Sequence, residues 1–349
     1  MVGLLREFMT DNSKDDFSES HPRQWVDRSS PAYTRNHATH ESHPRQWVDR
    51  SSSAYTSNTR LASPIHSTYP PPMYLKPLAN LNWAYQLHYY LCFRTHRRKK
   101  LFSLAERTDA LSQELSEICE RHGYHLLKAK NYPDHLRCLL SLRPSDSISK
   151  TLQTVKTNLS RELGAHFRLQ APMWADGFLA RSVGRVRIDA VRNYLDSQSE
   201  HHGYAGRVLS PVFRFVAKNP AALTAAHSVF DLNHHIVLAT QSRRGIFGSR
   251  VGSELVEYWQ RVAAKKAFAI DRATVLPDHV HMLVRIVPKM SIENCVLALM
   301  NNAQHWFGRH YAELLVQGAL TQLWQASAYA GTNGTVTTAL VKSFLSRDV

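Results

Sequence analysis

In residues 276–286, LPDHVHMLVRI, His279 and His281 stand two positions apart at the head of an apolar run. On a β-strand, alternate side chains share a face. Both imidazoles then point one way, while Val280, Met282, Val284 and Ile286 point the other way, into a core. Two imidazoles on one strand face can chelate a divalent cation. The alternative is coincidence, since a chain with 20 histidines yields such a triplet about once from composition alone. Residues 131–142, NYPDHLRCLLSL, repeat the phrase with one word changed. His135 is kept, and Arg137 stands where the second imidazole would be.

The elements around these residues also occur twice. LHYYLCFRTHRRKKLF (87–102) matches LNHHIVLATQSRRGIF (232–247), each reading as a strand followed by a basic turn. PDHLRCLLSLRPSDSISKTL (133–152) matches PDHVHMLVRIVPKMSIENCV (277–296). Each reads as a strand, a loop with proline and a helix opened by a serine cap, Ser147 or Ser291. MWADGFLARSVGRVRIDAVRNYLDSQ (173–198) matches LWQASAYAGTNGTVTTALVKSFLSRD (323–348), ending in a helix. Ile188, Val191 and Leu195 of that helix correspond to Thr338, Val341 and Leu345. Three matched blocks in one order indicate two copies of one domain, at 79–200 and 226–349, joined by a linker at 201–225. Strands mixed with helices predict an α+β fold, with helices packed on an antiparallel sheet.

Residues 1–78 read as a disordered tail, rich in Ser, His, Asn, Thr and Pro. The tail holds its own short repeat, ESHPRQWVDRSSPAYTRN from Glu19 and ESHPRQWVDRSSSAYTSN from Glu41. That repeat is either a recent duplication or a basic-aromatic tether for nucleic acid through Arg23, Trp25, Arg45 and Trp47. YPPPMYLKP (69–77) reads as a stiff spacer.

The chain carries 43 Lys and Arg against 28 Asp and Glu, a formal charge of +15. This balance favours a polyanionic partner, nucleic acid before a membrane surface. Arg97, Arg98, Lys99 and Lys100 in one basic turn, and Arg243 and Arg244 in the other, are candidate phosphate grips. Arg161, His166, His305 and Arg309 extend that surface. Trp174 and Trp324 suit either base stacking or the core. Four scattered cysteines with no CxxC pair argue against a disulfide framework and a zinc finger. No apolar run approaches the roughly 20 residues of a membrane span, and the expected location is the cytoplasm. No strand has the aromatic density of an RNA-recognition module.

The ordered set of basic strand-turn, PDHVHMLV, tryptophan-led loop and C-terminal helix resembles the single-tyrosine HUH transposases of single-strand-DNA insertion sequences. REP-associated tyrosine transposases are close relatives of these. The resemblance covers both copies and leaves out the tail. It implies a ferredoxin- or RRM-like domain in tandem and a histidine pair that binds Mg²⁺ or Mn²⁺. It further implies a helix-borne tyrosine that links to the 5′ end of cut DNA, and a glutamine one turn later that completes the metal site. Carried over by position, these are Tyr194 and Gln198 in the first copy, but Phe344 and Asp348 in the second.

The losses are complementary. The first copy keeps Tyr194 and Gln198 but has Arg137, while the second keeps His279 and His281 but has Phe344. Dimers of the resembled family place the tyrosine helix of one subunit at the histidines of the other, so this chain is expected to be a pseudo-dimer in itself. One composite site would be complete, with Tyr194 as nucleophile and His279, His281 and Gln198 as metal ligands. The other would be degraded, with His135, Arg137, Phe344 and Asp348. The expected partner is single-stranded DNA containing a hairpin, with self-association of the chain a further expectation. The alternative is a catalytically inactive, domesticated DNA-binding protein.

Overall fold

The computed structural model describes residues 72–169, 171–184, 188–196 and 210–346. The short repeat with Arg23, Trp25, Arg45 and Trp47, and the positions of Gln198 and Asp348, lie outside the described residues, as do the side chains of 194–196.

A short strand, β1 (Asn82–Gln86), runs almost directly into β2 (His88–Arg94). Then come α1 (Ala105–His122), β3 (His125–Tyr132), β4 (His135–Ser141), α2 (Ile148–Phe167), β5 (Phe178–Val183) and α3 (Ile188–Asp196). The core strands pair antiparallel in the order β3-β4-β2-β5. This is the β-α-β-β-α-β arrangement of a ferredoxin-like sheet.

The second copy repeats the pattern. After β6 (Phe213–Val216) and β7 (Ser228–Asp231) come β8 (Asn233–Thr240), α4 (Ser249–Lys266), β9 (Phe268–Leu276) and β10 (His279–Ile286). The copy finishes with α5 (Ile292–His310), α6 (Ala312–Gln317), β11 (Trp324–Asn333) and α7 (Thr338–Ser346). Its core order, β9-β10-β8-β11, is equivalent to that of the first copy.

Local chemistry accounts for the element ends. Ser147 Oγ accepts from Lys150 N at the start of α2, and Ser291 Oγ accepts from Asn294 N at the start of α5, both as expected. Gly123, at φ 69°, closes α1 in the left-handed conformation that a residue with a Cβ resists. The inward faces supply the core: Leu111, Leu115 and Ile118 of α1 and Leu152, Val155 and Leu159 of α2 are buried. Val280, Met282, Val284 and Ile286 of β10 are buried as the alternation requires.

The copies exchange strands. β1 pairs parallel with β11 of the second copy, and β7 pairs parallel with β5 of the first. Where they meet, one hydrogen-bond pattern occurs twice. Ser182 Oγ donates to Asn333 O (2.5 Å) and accepts from Asn233 N (2.9 Å). The equivalent Thr332 Oγ1 donates to Val183 O (2.7 Å) and accepts from His88 N (2.9 Å). The Tyr89 hydroxyl and His234 Nε2, also equivalent positions, lie 2.9 Å apart and buried. Burial holds the His234 imidazole down at about 3 and therefore neutral.

Two boundaries differ from the sequence reading. Residues 201–225, read as a linker, contain β6, which pairs antiparallel with β9. Phe213 and Phe215 face the core from one side of it, an alternation too short to stand out. Residues 73–78, assigned to the tail and spacer, lie along α5. Leu75 is buried there, Leu78 N donates to Asn301 Oδ1 (2.8 Å), and Gln304 Nε2 donates to Lys76 O (2.5 Å). The side-chain amides of α5 give this extended backbone the partners it needs.

Candidate active site

His279 and His281 stand on one face of β10, their rings 5.0 Å apart. Both are largely buried. His279 Nδ1 is held by Asp278 Oδ1 at 2.6 Å, and Asp278 Oδ2 in turn by Arg243 Nε at 2.8 Å. Burial raises the Asp278 carboxyl, but the bond from His279 and the Arg243 charge outweigh it and leave it below its ordinary value. An ionised Asp278 takes the Nδ1 proton side of His279, so the Nε2 lone pair faces away from the carboxylate. His281 Nδ1 lies 3.1 Å from Nε2 of His235, on the adjacent strand β8. Burial lowers His235 to about 4, so it is neutral and able to accept. Two imidazoles on one face, each held by a partner on Nδ1, are the ligand type a divalent cation takes. Among the described residues no third His, Cys, Asp or Glu completes a metal cluster.

The same strand face is covered at Leu283 from the other copy. α3 packs on β9 and β10. Val191 of α3 forms a small buried cluster with Leu283, and Ile188 packs against it. Leu283 shares its strand face with His279 and His281. Tyr194 lies in α3, three residues after Val191.

The reciprocal arrangement holds at the first copy. Arg98 Nη1 donates to Leu345 O of α7 at 2.7 Å, and the Arg94 guanidinium lies 4.9 Å from the centre of the buried Phe344 ring. Beneath them, His135 Nδ1 is held by Asp134 (2.7 Å) and Asp134 by Arg98 (2.9 Å), as in the second copy. Here Arg137 Nε donates to His135 Nε2 at 3.1 Å. That bond occupies the nitrogen that His279 leaves available. Burial, with Arg137 adding to it, keeps His135 below its ordinary value despite Asp134. Tyr132 stacks on His135 with ring centres 4.2 Å apart, and the Arg137 guanidinium lies 4.3 Å from the Tyr132 ring centre.

The basic turns share one backbone. Arg97 and Arg98 have φ of 52° and 53°, and Ser242 and Arg243 have 53° and 55°. Two successive non-glycine residues in the left-handed region cost energy. The Thr95 and Thr240 hydroxyls pin the turns, through Lys99 O and Asp134 O in one and Arg244 O and Asp278 O in the other. The result aims Arg98 and Arg243 at the aspartates behind the histidines. Arg97, Lys99, Lys100 and Arg244 are exposed around them. Trp174 and Trp324 are both core residues, Trp324 stacking on Trp259 at 5.8 Å. The sequence reading missed Asp278 and His235. The first had a signal, since the triplet Pro-Asp-His recurs intact at 133–135 and 277–279. The second had none, because Tyr90 occupies its place in the first copy.

The chain matches the family model described as "Transposase IS200 like" twice, over residues 83–198 and 228–348. Among curated proteins it is similar to the ISDra2 transposase TnpA of Deinococcus radiodurans, 28% identical over 71 residues, 20% of this chain and 51% of that protein. It is also similar to the transposase for insertion sequence element IS200 of Salmonella typhimurium, 26% identical over 109 residues, 31% of this chain and 72% of that protein. The chain thus spans about half the length of the first of these relatives. Among solved structures it resembles a candidate transposase from Deinococcus radiodurans, with 23% identity and a TM-score of 0.28, covering 33% of this chain and 92% of that one. It also resembles a REP-associated tyrosine transposase bound to a REP hairpin, with 14% identity and a TM-score of 0.24, covering 36% and 68%. With the family model matched over more than half of its length, the chain belongs to the IS200-like transposases, and it carries that domain twice.

Proposed function

We propose that this chain carries out transposition-type nicking and rejoining of single-stranded DNA at one composite site. Tyr194 comes from the first copy and His279 and His281 from the second. The observation that carries the reading is the seating of α3 on the histidine-bearing sheet of the other copy, with Val191 against Leu283.

In this reading the Tyr194 phenol oxygen attacks a backbone phosphorus and the P–O3′ bond breaks. The phenol proton goes to solvent, the departing 3′ oxygen takes up a proton, and the 5′ phosphate stays on the tyrosine. Rejoining reverses the step, as a 3′-OH attacks and releases the phenol. A free phenol, with its ordinary pKa near 10, is a weak nucleophile at neutral pH. Mg²⁺ or Mn²⁺ held at His279 and His281, with Gln198 as the third ligand, would polarise the phosphate and offset its developing charge. Asp278 and His235 keep both imidazoles in the tautomer that can bind such a cation, and the α3 cover keeps bulk water from the phosphate.

The preferred substrate is single-stranded DNA beside a hairpin, with the exposed basic turns gripping phosphates. The test is incubation of a labelled single-stranded hairpin library with Mg²⁺ or Mn²⁺, scored for a protein–DNA adduct that survives SDS. The wild type is expected to form it, with Tyr194→Phe and His281→Ala both losing it by at least about a hundredfold. Salt-sensitive binding without any adduct in the wild type would sink the catalytic reading in favour of a retired, DNA-binding transposase.

A further inference from the structure

We propose that the degraded face of the first copy is a second DNA site, one that holds a single-strand phosphate without metal and without cutting, centred on Arg137. The proposal rests on DNA being the partner but not on Tyr194 being active.

Sites that only decay lose function at scattered positions and have no reason to accumulate one sign of charge. Here five of the changes add positive charge. Ala239, Ser242, Gly245, Thr274 and His281 of the second copy are answered by Arg94, Arg97, Lys100, Lys130 and Arg137 of the first. The strand registers fix two of these equivalences in space. Arg94 pairs with His135 as Ala239 pairs with His279, and Lys130 pairs with Arg137 as Thr274 pairs with His281. Arg94, Lys130 and Arg137 therefore share the sheet face that lost its metal-binding imidazole, and Arg97 and Lys100 lie in the turn after β2.

Arg137 is built into its place. Its Nε is fixed on His135 Nε2, and its guanidinium lies over Tyr132, which itself stacks on His135. A guanidinium anchored through Nε on the imidazole and lying over the Tyr132 ring keeps its fork of donors in a restricted position. That is the geometry for bidentate capture of a phosphate. The fixed charge takes over the electrostatic role of the cation, while the bond to His135 removes the lone pair a cation would need. With Phe344 in the tyrosine position, buried against Arg94, α7 brings no phenol to this face. The face can hold a strand in register while the other face acts on DNA.

The experiment measures fluorescence anisotropy of a fluorescein-labelled single-stranded oligonucleotide of mixed sequence, in EDTA, over a range of salt. Arg137→Gln with Lys130→Gln is expected to weaken binding about tenfold and to lower the salt slope by one to two. Arg137→Lys should lose less, because charge is kept and the fork is lost. Lys265→Gln with Lys266→Gln, exposed residues at the end of α4, removes the same charge elsewhere and should change binding less than twofold. Equal losses in the two double variants, or no loss in the first, would overturn the proposal. Absence of an SDS-stable adduct would refute the composite catalytic site and leave this result standing.

Discussion

At the scale of single residues, the functional pair is defined less by the two histidines than by what holds their other nitrogens. Asp278 is the partner of His279 in both copies' terms, since Asp134 does the same for His135. His235 is particular to the second copy, and it bonds the imidazole that the first copy lacks. It acts as an acceptor that turns the His281 lone pair outward. His235→Phe removes the acceptor and frees His281 to adopt the wrong tautomer, whereas His235→Gln keeps an acceptor oxygen near the same place. The expected result is a 10- to 100-fold higher Mn²⁺ requirement for adduct formation in the phenylalanine variant, with most of it recovered in the glutamine variant. DNA binding in EDTA should be unchanged in both. An unchanged Mn²⁺ requirement in His235→Phe would show that His235 only fills space.

At the scale of elements, α3 is the part on which the proposed activity depends. It has nine residues, fewer than the roughly 12 to 15 an isolated helix needs in water, so its stability comes from docking. Val191 against Leu283 contributes about 1.5 to 3 kcal/mol per buried side chain, enough to seat the helix and small beside the folding of the whole domain. Val191→Asp would place an unpaired charge in that contact. Adduct formation is expected to fall at least tenfold while the melting temperature moves by only a few degrees and DNA binding persists. A large drop in melting temperature would mean that α3 is structural for the sheet. The helix was legible in the sequence from its apolar spacing and its twin in the second copy. So were the strand phase of β10, the serine caps of α2 and α5, and the two-copy plan. The crossing strands β1 and β7 were not, because a strand of four or five residues shows no preference between its own sheet and a neighbour's. That choice is made by contacts such as Ser182 with Asn333 and Thr332 with Val183. His235 was hidden for a similar reason: its partner is 46 residues away in the chain.

At the scale of the whole molecule, two matched halves with exchanged strands and exchanged helices allow one site to be kept while the other changes. In the proposed reading each helix serves the opposite copy, so damage to the first copy's strand and to the second copy's helix falls on the same face. The equivalence has a testable consequence. If α7 sits over β4 as α3 sits over β10, the degraded face should be repairable by restoring the residues of the other. Arg137→His returns the second imidazole and Phe344→Tyr the nucleophile. Asp348→Gln returns the third ligand, and Arg94→Ala removes the guanidinium now lying against the Phe344 ring. In a Tyr194→Phe background, the four changes together should bring back a metal-dependent, SDS-stable adduct. Peptide mapping should place the DNA at position 344. A yield clearly above that of Tyr194→Phe alone, with the DNA mapped to that position, would be diagnostic. A blank result from a folded, DNA-binding variant would mean that α7 does not present position 344 to His135 as the pseudo-twofold relation requires.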